Sequence, residues 1–153
     1  MRIGFTGTRL ISVGDGPRIE EFLVSATQHG TEFTTGTCWG FDAIAAEWLV
    51  ARYPNAVHRL VVPANRSQVD FSIVGKFTAL AREAPEQYLI EWMPDDTDYR
   101  DRNARILEHS DELVAVAQSP ETAGSSRRSG TWMTVRMARE GALPVRQLVL
   151  WEG

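Results

Sequence analysis

The sequence predicts an α/β fold: one doubly wound, mainly parallel sheet with helices on both faces, in a single domain spanning residues 1–153. Three observations predict it. Short β-branched apolar runs alternate with amphipathic segments along the chain, and no hairpin turn separates two neighbouring runs. Several runs end in small-residue turns that lead straight into a helix start. The length of 153 residues suits one domain with a proper core.

Arg2-Ile3-Gly4-Phe5-Thr6 reads as a buried first strand running into the turn Gly7-Thr8-Arg9. Gly14-Asp15-Gly16-Pro17 marks a helix start, with Asp15 as candidate cap and Pro17 near the first turn. Ile19, Phe22, Leu23 and Ala26 share one face of a helix expected to end near Gly30. Thr31 to Thr35 is strand-like and meets the loop Gly36-Thr37-Cys38-Trp39-Gly40-Phe41-Asp42. A strongly apolar helix, Ala43 to Val50, follows it. Asp42 suits either a helix cap or a hydrogen bond to a ligand hydroxyl. Cys38 has no neighbouring base and reads as a small loop residue.

Val57 to Pro63 is the third strand. The segment 64–85 has mixed periodicity, with a short helix expected over Val74 to Arg82. Gln87 to Trp92 is the fourth strand, and Pro94 to Asp98 an acidic turn. Tyr99 to Ser110 reads as a helix with Ala104 and Leu107 inward and arginines along its flank, where Asp98 and Asp101 are placed to pair with them. Leu113 to Ala117 is the fifth strand. Trp132, Val135 and Ala138 then repeat at helical spacing up to Gly141, and Pro144 to Trp151 is the sixth strand.

Composition narrows the function classes. Hydrophobic content of 43% and charged content of 24% are those of a soluble globular protein. No apolar run is long enough to span a bilayer, and the N-terminus has no signal-peptide layout. One cysteine excludes an internal disulfide framework and suits the cytoplasm. His29, His58 and His109 form no metal motif, so neither a metal nor another cofactor is expected. The net charge of −4 argues against general coating of a polyanion. Lys76 is the only lysine; the remaining basic residues are arginines, which make flat bidentate contacts to phosphate.

The stretch Ser125-Ser126-Arg127-Arg128-Ser129-Gly130-Thr131 links the fifth strand to the last helix. Such a junction aims unpaired first-turn N–H groups at one point, where an anion binds. In parallel sheets of this kind ligands lie outside the carboxyl ends of the strands. Gly7-Thr8-Arg9, Gly36 to Asp42, Arg100 to Asn103 and Ser129-Gly130-Thr131 all fall at that edge. Together they point to a phosphate or nucleotide site made of Gly7, Thr8, Arg9, Gly36, Thr37, Gly40, Asp42, Arg102, Asn103, Ser129, Gly130 and Thr131.

Four motifs recur here in a recognisable order: Thr35-Gly36-x-x-x-Gly40-x-Asp42-x-x-Ala45, Arg102-Asn103-x-x-Ile106, Ser110-Asp111-x-Leu113-Val114, and Ser129-Gly130-Thr131-x-x-Thr134-x-x-x-Ala138-x-x-x-Gly141. The set resembles the Rossmann-like domain of the DprA/Smf DNA-processing proteins and, more broadly, the SLOG superfamily, which also contains the LOG (lysine-decarboxylase-like) nucleotide hydrolases. The resemblance implies a cytoplasmic Rossmann-like domain that binds a nucleotide or single-stranded nucleic acid and has no membrane partner. It also implies a possible homodimer, for which Trp48 and Trp151 are spare apolar residues. It places Arg9, Arg102 and Asn103 on phosphate or base, and Gly36, Gly40, Ser129, Gly130 and Thr131 in the cradle. Trp39 and Trp132 are available to stack a base, Trp132 reading more readily as core. The flanking domains of full DprA proteins are not expected within these 153 residues. The alternative is a LOG-like nucleotide N-glycosidase. That branch places a catalytic glutamate just after the Gly-Thr pair, where this chain has Trp132, Met133 and Thr134; Asp42 or Glu47 would have to replace it. The expectation is therefore binding without catalysis.

Overall fold

The computed structural model describes residues 1–121 and 129–151. Six strands form one sheet: β1 (Arg2–Gly7), β2 (Glu32–Thr35), β3 (Val57–Val62), β4 (Tyr88–Trp92), β5 (Glu112–Ala117) and β6 (Val145–Val149). Among the described residues five α-helices connect them: α1 (Gly16–Ala26), α2 (Phe41–Arg52), α3 (Phe71–Glu83), α4 (Tyr99–Glu108) and α5 (Gly130–Glu140). Every pairing is parallel and the strand order is β4-β3-β2-β1-β5-β6. The doubly wound α/β arrangement expected from the sequence is the observed one. The chain winds outward from β1 to β4, then returns through α4 to place β5 on the other side of β1. Right-handed crossovers in these two directions put α1, α2 and α3 on one face and α4 and α5 on the other.

Alternation along β5 shows how both faces are filled. Val114 and Val116 join Phe5, Phe33, Leu23 and Phe41 in the core beneath α1 and α2. Leu113, Ala115 and Ala117 meet Trp132, Val135 and Ala138 of α5. A strand buried on both sides reads as an unbroken apolar run, which is why Leu113 to Ala117 is legible without any polar alternation.

Several boundaries and contacts differ from the sequence expectation. Helix α1 ends at Ala26, because the Thr27 hydroxyl donates back to the Leu23 carbonyl at 2.7 Å and the chain turns there. Its Asp15 does not cap it; the carboxylate accepts the Ser12 N–H at 2.8 Å in a preceding 3₁₀ turn. Helix α2 starts two residues early, at Phe41. Helix α3 is longer than expected and begins at Phe71, because the Asp70 side chain accepts the Ser72 N–H at 3.0 Å and caps it. Exposed Phe71 breaks the amphipathic pattern that would have revealed this first turn.

Helix α4 carries the largest correction. Its buried face is Arg102, Asn103 and Ile106, while Ala104 and Leu107 are only half-buried. Asp98 and Asp101 do not serve the arginines. They cap the helix reciprocally: the Asp101 N–H donates to Asp98 at 2.9 Å and the Asp98 N–H to Asp101 at 3.0 Å. Arg105 pairs instead with Glu91 and Glu108. Of the two spare tryptophans, Trp48 is half-buried against Tyr53 at 6.1 Å between ring centres, and Trp151 is exposed.

Candidate nucleotide site

The reversal of winding lies between β1 and β5, and a cavity of about 620 Å³ opens outside the carboxyl ends of these strands. This is where a parallel sheet leaves room for a ligand, because the connections from the two strands diverge to opposite faces. The volume falls within the usual range for small-molecule sites.

One wall is the loop after β1. The Thr8 N–H donates to the Val116 carbonyl at 2.9 Å, and the Thr8 carbonyl accepts the Phe41 N–H at 3.0 Å, tying the loop to both neighbours. Gly7, Thr8 and Arg9 line the cavity as expected. Arg9 is exposed and forms no ion pair with any described residue.

A second wall is the first turn of α5. Ser129 caps the helix, accepting the Trp132 N–H at 3.4 Å, and Ser129, Gly130 and Thr131 all line the cavity. The N–H groups of Gly130 and Thr131 have no acceptor within the helix, as at every helix start. Trp132 is core at its base, and its indole N–H donates to the Ser119 carbonyl at 2.9 Å, which fixes the exit of β5. Ser125, Ser126, Arg127 and Arg128, also singled out in the sequence, lie outside the described residues.

The floor is a buried polar cluster between α2 and α4. The Asp42 carboxylate accepts the Cys38 N–H at 3.1 Å and stands 3.8 Å from the Arg102 guanidinium. Arg102 donates to Asn103 Oδ1 at 2.9 Å, and its guanidinium nitrogens reach Cys38 Sγ at 3.9 and 4.0 Å. Its guanidinium carbon also sits 5.6 Å from the ring centre of Tyr99. Both charged side chains are almost wholly buried. Burial pushes the Asp42 carboxyl above the usual carboxylate range, against the downward pull of Arg102, the Cys38 N–H and Arg9. Burial, then the Asp42 charge, pushes the Cys38 thiol up as well, so it is no ready nucleophile.

Gly36, Thr37 and Gly40 do not line the cavity; they stand behind it. A Cβ on Gly36 would lie 2.4 Å from Arg102 Nη1 and 2.5 Å from Asp42 Oδ2. Gly40 has φ +85°, and a Cβ there would lie 2.7 Å from the Thr8 carbonyl oxygen. Thr37 is buried, and its carbonyl accepts the Asp70 N–H at 2.7 Å. Trp39 is exposed and away from the lining, as is Glu47. Asp42 is thus the only carboxylate among the described lining residues.

Sequence reasoning missed Gln68, Tyr99, Gln118 and Ser119, which also line the cavity. Gln118 and Ser119 follow the end of β5 directly, so their position was a usable signal. Gln68 lies in the segment of mixed periodicity and carried none.

No family model matches the chain, and no curated protein matches it. Among solved structures it is similar to DNA processing protein A from Helicobacter pylori, described for its single-stranded DNA binding mode. The TM-score is 0.65 at 18% sequence identity, covering 96% of this chain and 64% of that one. The chain therefore has the Rossmann-like α/β fold of that protein and spans somewhat less than two thirds of its length. Among the described residues no helix is long and apolar enough to cross a membrane.

Proposed function

We propose that this chain is a DprA-like domain of the SLOG type that binds the phosphate of a nucleotide or of a single-stranded nucleic acid, without catalysis. One observation carries the reading: the exposed, ion-pair-free Arg9 and the open first turn of α5 line one nucleotide-sized cavity at the reversal between β1 and β5. An anion there meets unpaired N–H groups and the positive end of the helix dipole from one side. From the other it meets a guanidinium that no described carboxylate neutralises. Arg102 supports the floor and adds positive charge beneath it. Hydrolysis of an N-glycosidic bond needs a carboxylate free to face the ribose. Asp42 is engaged by the Cys38 N–H and faces Arg102, which favours binding over cleavage.

The test is thermal unfolding with nucleoside monophosphates, ribose 5-phosphate and a short single-stranded oligonucleotide. A ligand at about 100 times its dissociation constant adds roughly 2.7 kcal/mol. At this size that raises Tm by about 5–10 °C. Arg9→Glu should remove most of that rise and leave the ligand-free Tm unchanged. A response to the oligonucleotide alone, fading with salt, assigns the site to nucleic acid. Silence from every phosphate compound would end the proposal, and release of free base would overturn its non-catalytic part.

A further inference from the structure

The phosphate assignment leaves the far end of the cavity unexplained. Strand order shows which end that is. The lining comes from α4 and from the loops after β3, β2, β1 and β5, four strands that are neighbours in that order. The strands that carry the loop after β3 and the first turn of α5 are separated in the sheet by β2 and β1, so the two enter the cavity from different ends. A phosphate at α5 therefore directs the rest of a nucleotide toward that loop.

Gln68 waits there. Its backbone carbonyl accepts the Trp39 N–H at 3.2 Å, which pins the loop to the segment before α2. Its side-chain carboxamide makes no hydrogen bond with any described residue, and Oε1 is buried without a donor. A buried carbonyl oxygen in that state is unfavourable until an N–H meets it. Tyr99 lines the same cavity, and its hydroxyl donates to the Asn65 carbonyl at 3.1 Å, fixing its ring beside the same loop. An aromatic ring with an unpartnered carboxamide on the neighbouring loop is the equipment for holding a heterocycle: the ring offers a face, the amide offers one donor and one acceptor to its edge.

We propose that Gln68 reads the base of a bound nucleotide, with the phosphate at α5 and the base at Gln68 and Tyr99, the carboxamide pairing with a base edge that carries neighbouring donor and acceptor groups. This rests on the phosphate reading above. Gln68 is then the specificity-determining residue of the site, while Arg9 and the α5 turn bind any phosphate alike.

Calorimetric titration of the full chain with ribose 5-phosphate and the four common nucleoside monophosphates tests this. Gln68→Ala should leave the affinity for ribose 5-phosphate unchanged, weaken the best nucleotide about five- to tenfold, and flatten the preference among the four. Gln68→Glu, which keeps the shape and loses the donor, should change the order of preference. Equal weakening of ribose 5-phosphate by Gln68→Ala would make Gln68 a support of the loop and overturn the proposal. An unmoved nucleotide ranking in both variants would overturn it as well, while leaving the phosphate site intact. If the unmutated protein binds neither ribose 5-phosphate nor any of the four monophosphates, this proposal is overturned, while the phosphate reading then stands or falls with the single-stranded oligonucleotide.

Discussion

The two glycine-bearing junctions at the sheet edge look alike in sequence and differ in the folded chain. In the β2–α2 junction, Gly36 and Gly40 are packed against the Asp42–Arg102 floor and the β1 loop, so that any side chain would collide. In the β5–α5 junction, a Cβ on Gly130 would meet no described residue within 4 Å. The first junction spends its small residues on internal packing, and the second has a glycine that no described residue packs against. The lesson is that a Gly-rich turn before a helix marks close approach without saying whether the approaching group is ligand or protein.

The largest expected effect tests the floor. Arg102→Ala leaves the Asp42 carboxylate buried without its cation, and removing one partner of a buried pair costs about 3–5 kcal/mol. Urea unfolding should show that loss directly. Arg9→Ala, in the exposed wall, should change stability by less than about 0.5 kcal/mol while weakening phosphate binding. Equal stability of the two variants would abolish the distinction between floor and wall.

The glycines come next. Gly36→Ala forces a methyl against Arg102 and Asp42, with an expected cost of about 1–3 kcal/mol. Gly40→Ala adds backbone strain, since φ +85° with ψ −128° is unfavourable for a residue with a Cβ. Gly130→Ala should fold with stability within about 0.5 kcal/mol of the unmutated protein. Should Gly130→Ala destabilise as much as Gly36→Ala, the first turn of α5 is packed against something and is not an open anion site.

The same contrast explains what was legible in the sequence. Among the described residues, alternating apolar runs revealed the six strands, because burial on two faces imposes that pattern directly, and helical periodicity revealed the helices, α3 only in part. The edge of the sheet was legible too, since turns after strands must lie there. What was hidden is orientation within the edge. Arg102 and Asn103 look like flank residues of a charged helix, yet they are its buried face, because α4 meets the sheet through a polar cluster and not an apolar stripe. Asp98 and Asp101 look like ion-pair partners because carboxylates at helical spacing from arginines suit both that role and a capping box. Gln68 gave no signal, because its place in the cavity depends on which strand lies beside β2, and sequence order alone does not state it.

The smallest expected effect separates the two forces acting on Asp42. Burial raises its folded-state pKa above the ordinary 3.8, while Arg102 opposes the rise. Where the rise prevails, the folded chain holds a proton that the unfolded chain has released. Stability from this group is then full below the unfolded pKa and is lost as pH rises through the folded one. Asp42→Asn keeps an oxygen for the Cys38 N–H and cannot titrate. The unmutated protein should therefore lose ground to Asp42→Asn as pH rises from about 4 to 7, across the window above the normal carboxylate value. Urea midpoints of both proteins at several pH values measure this. The reverse trend would mean that attraction to Arg102 outweighs burial, so that the floor is an ion pair already satisfied internally. Arg102 would then have less charge to offer a phosphate, and the affinity of the site would rest on Arg9 and the first turn of α5.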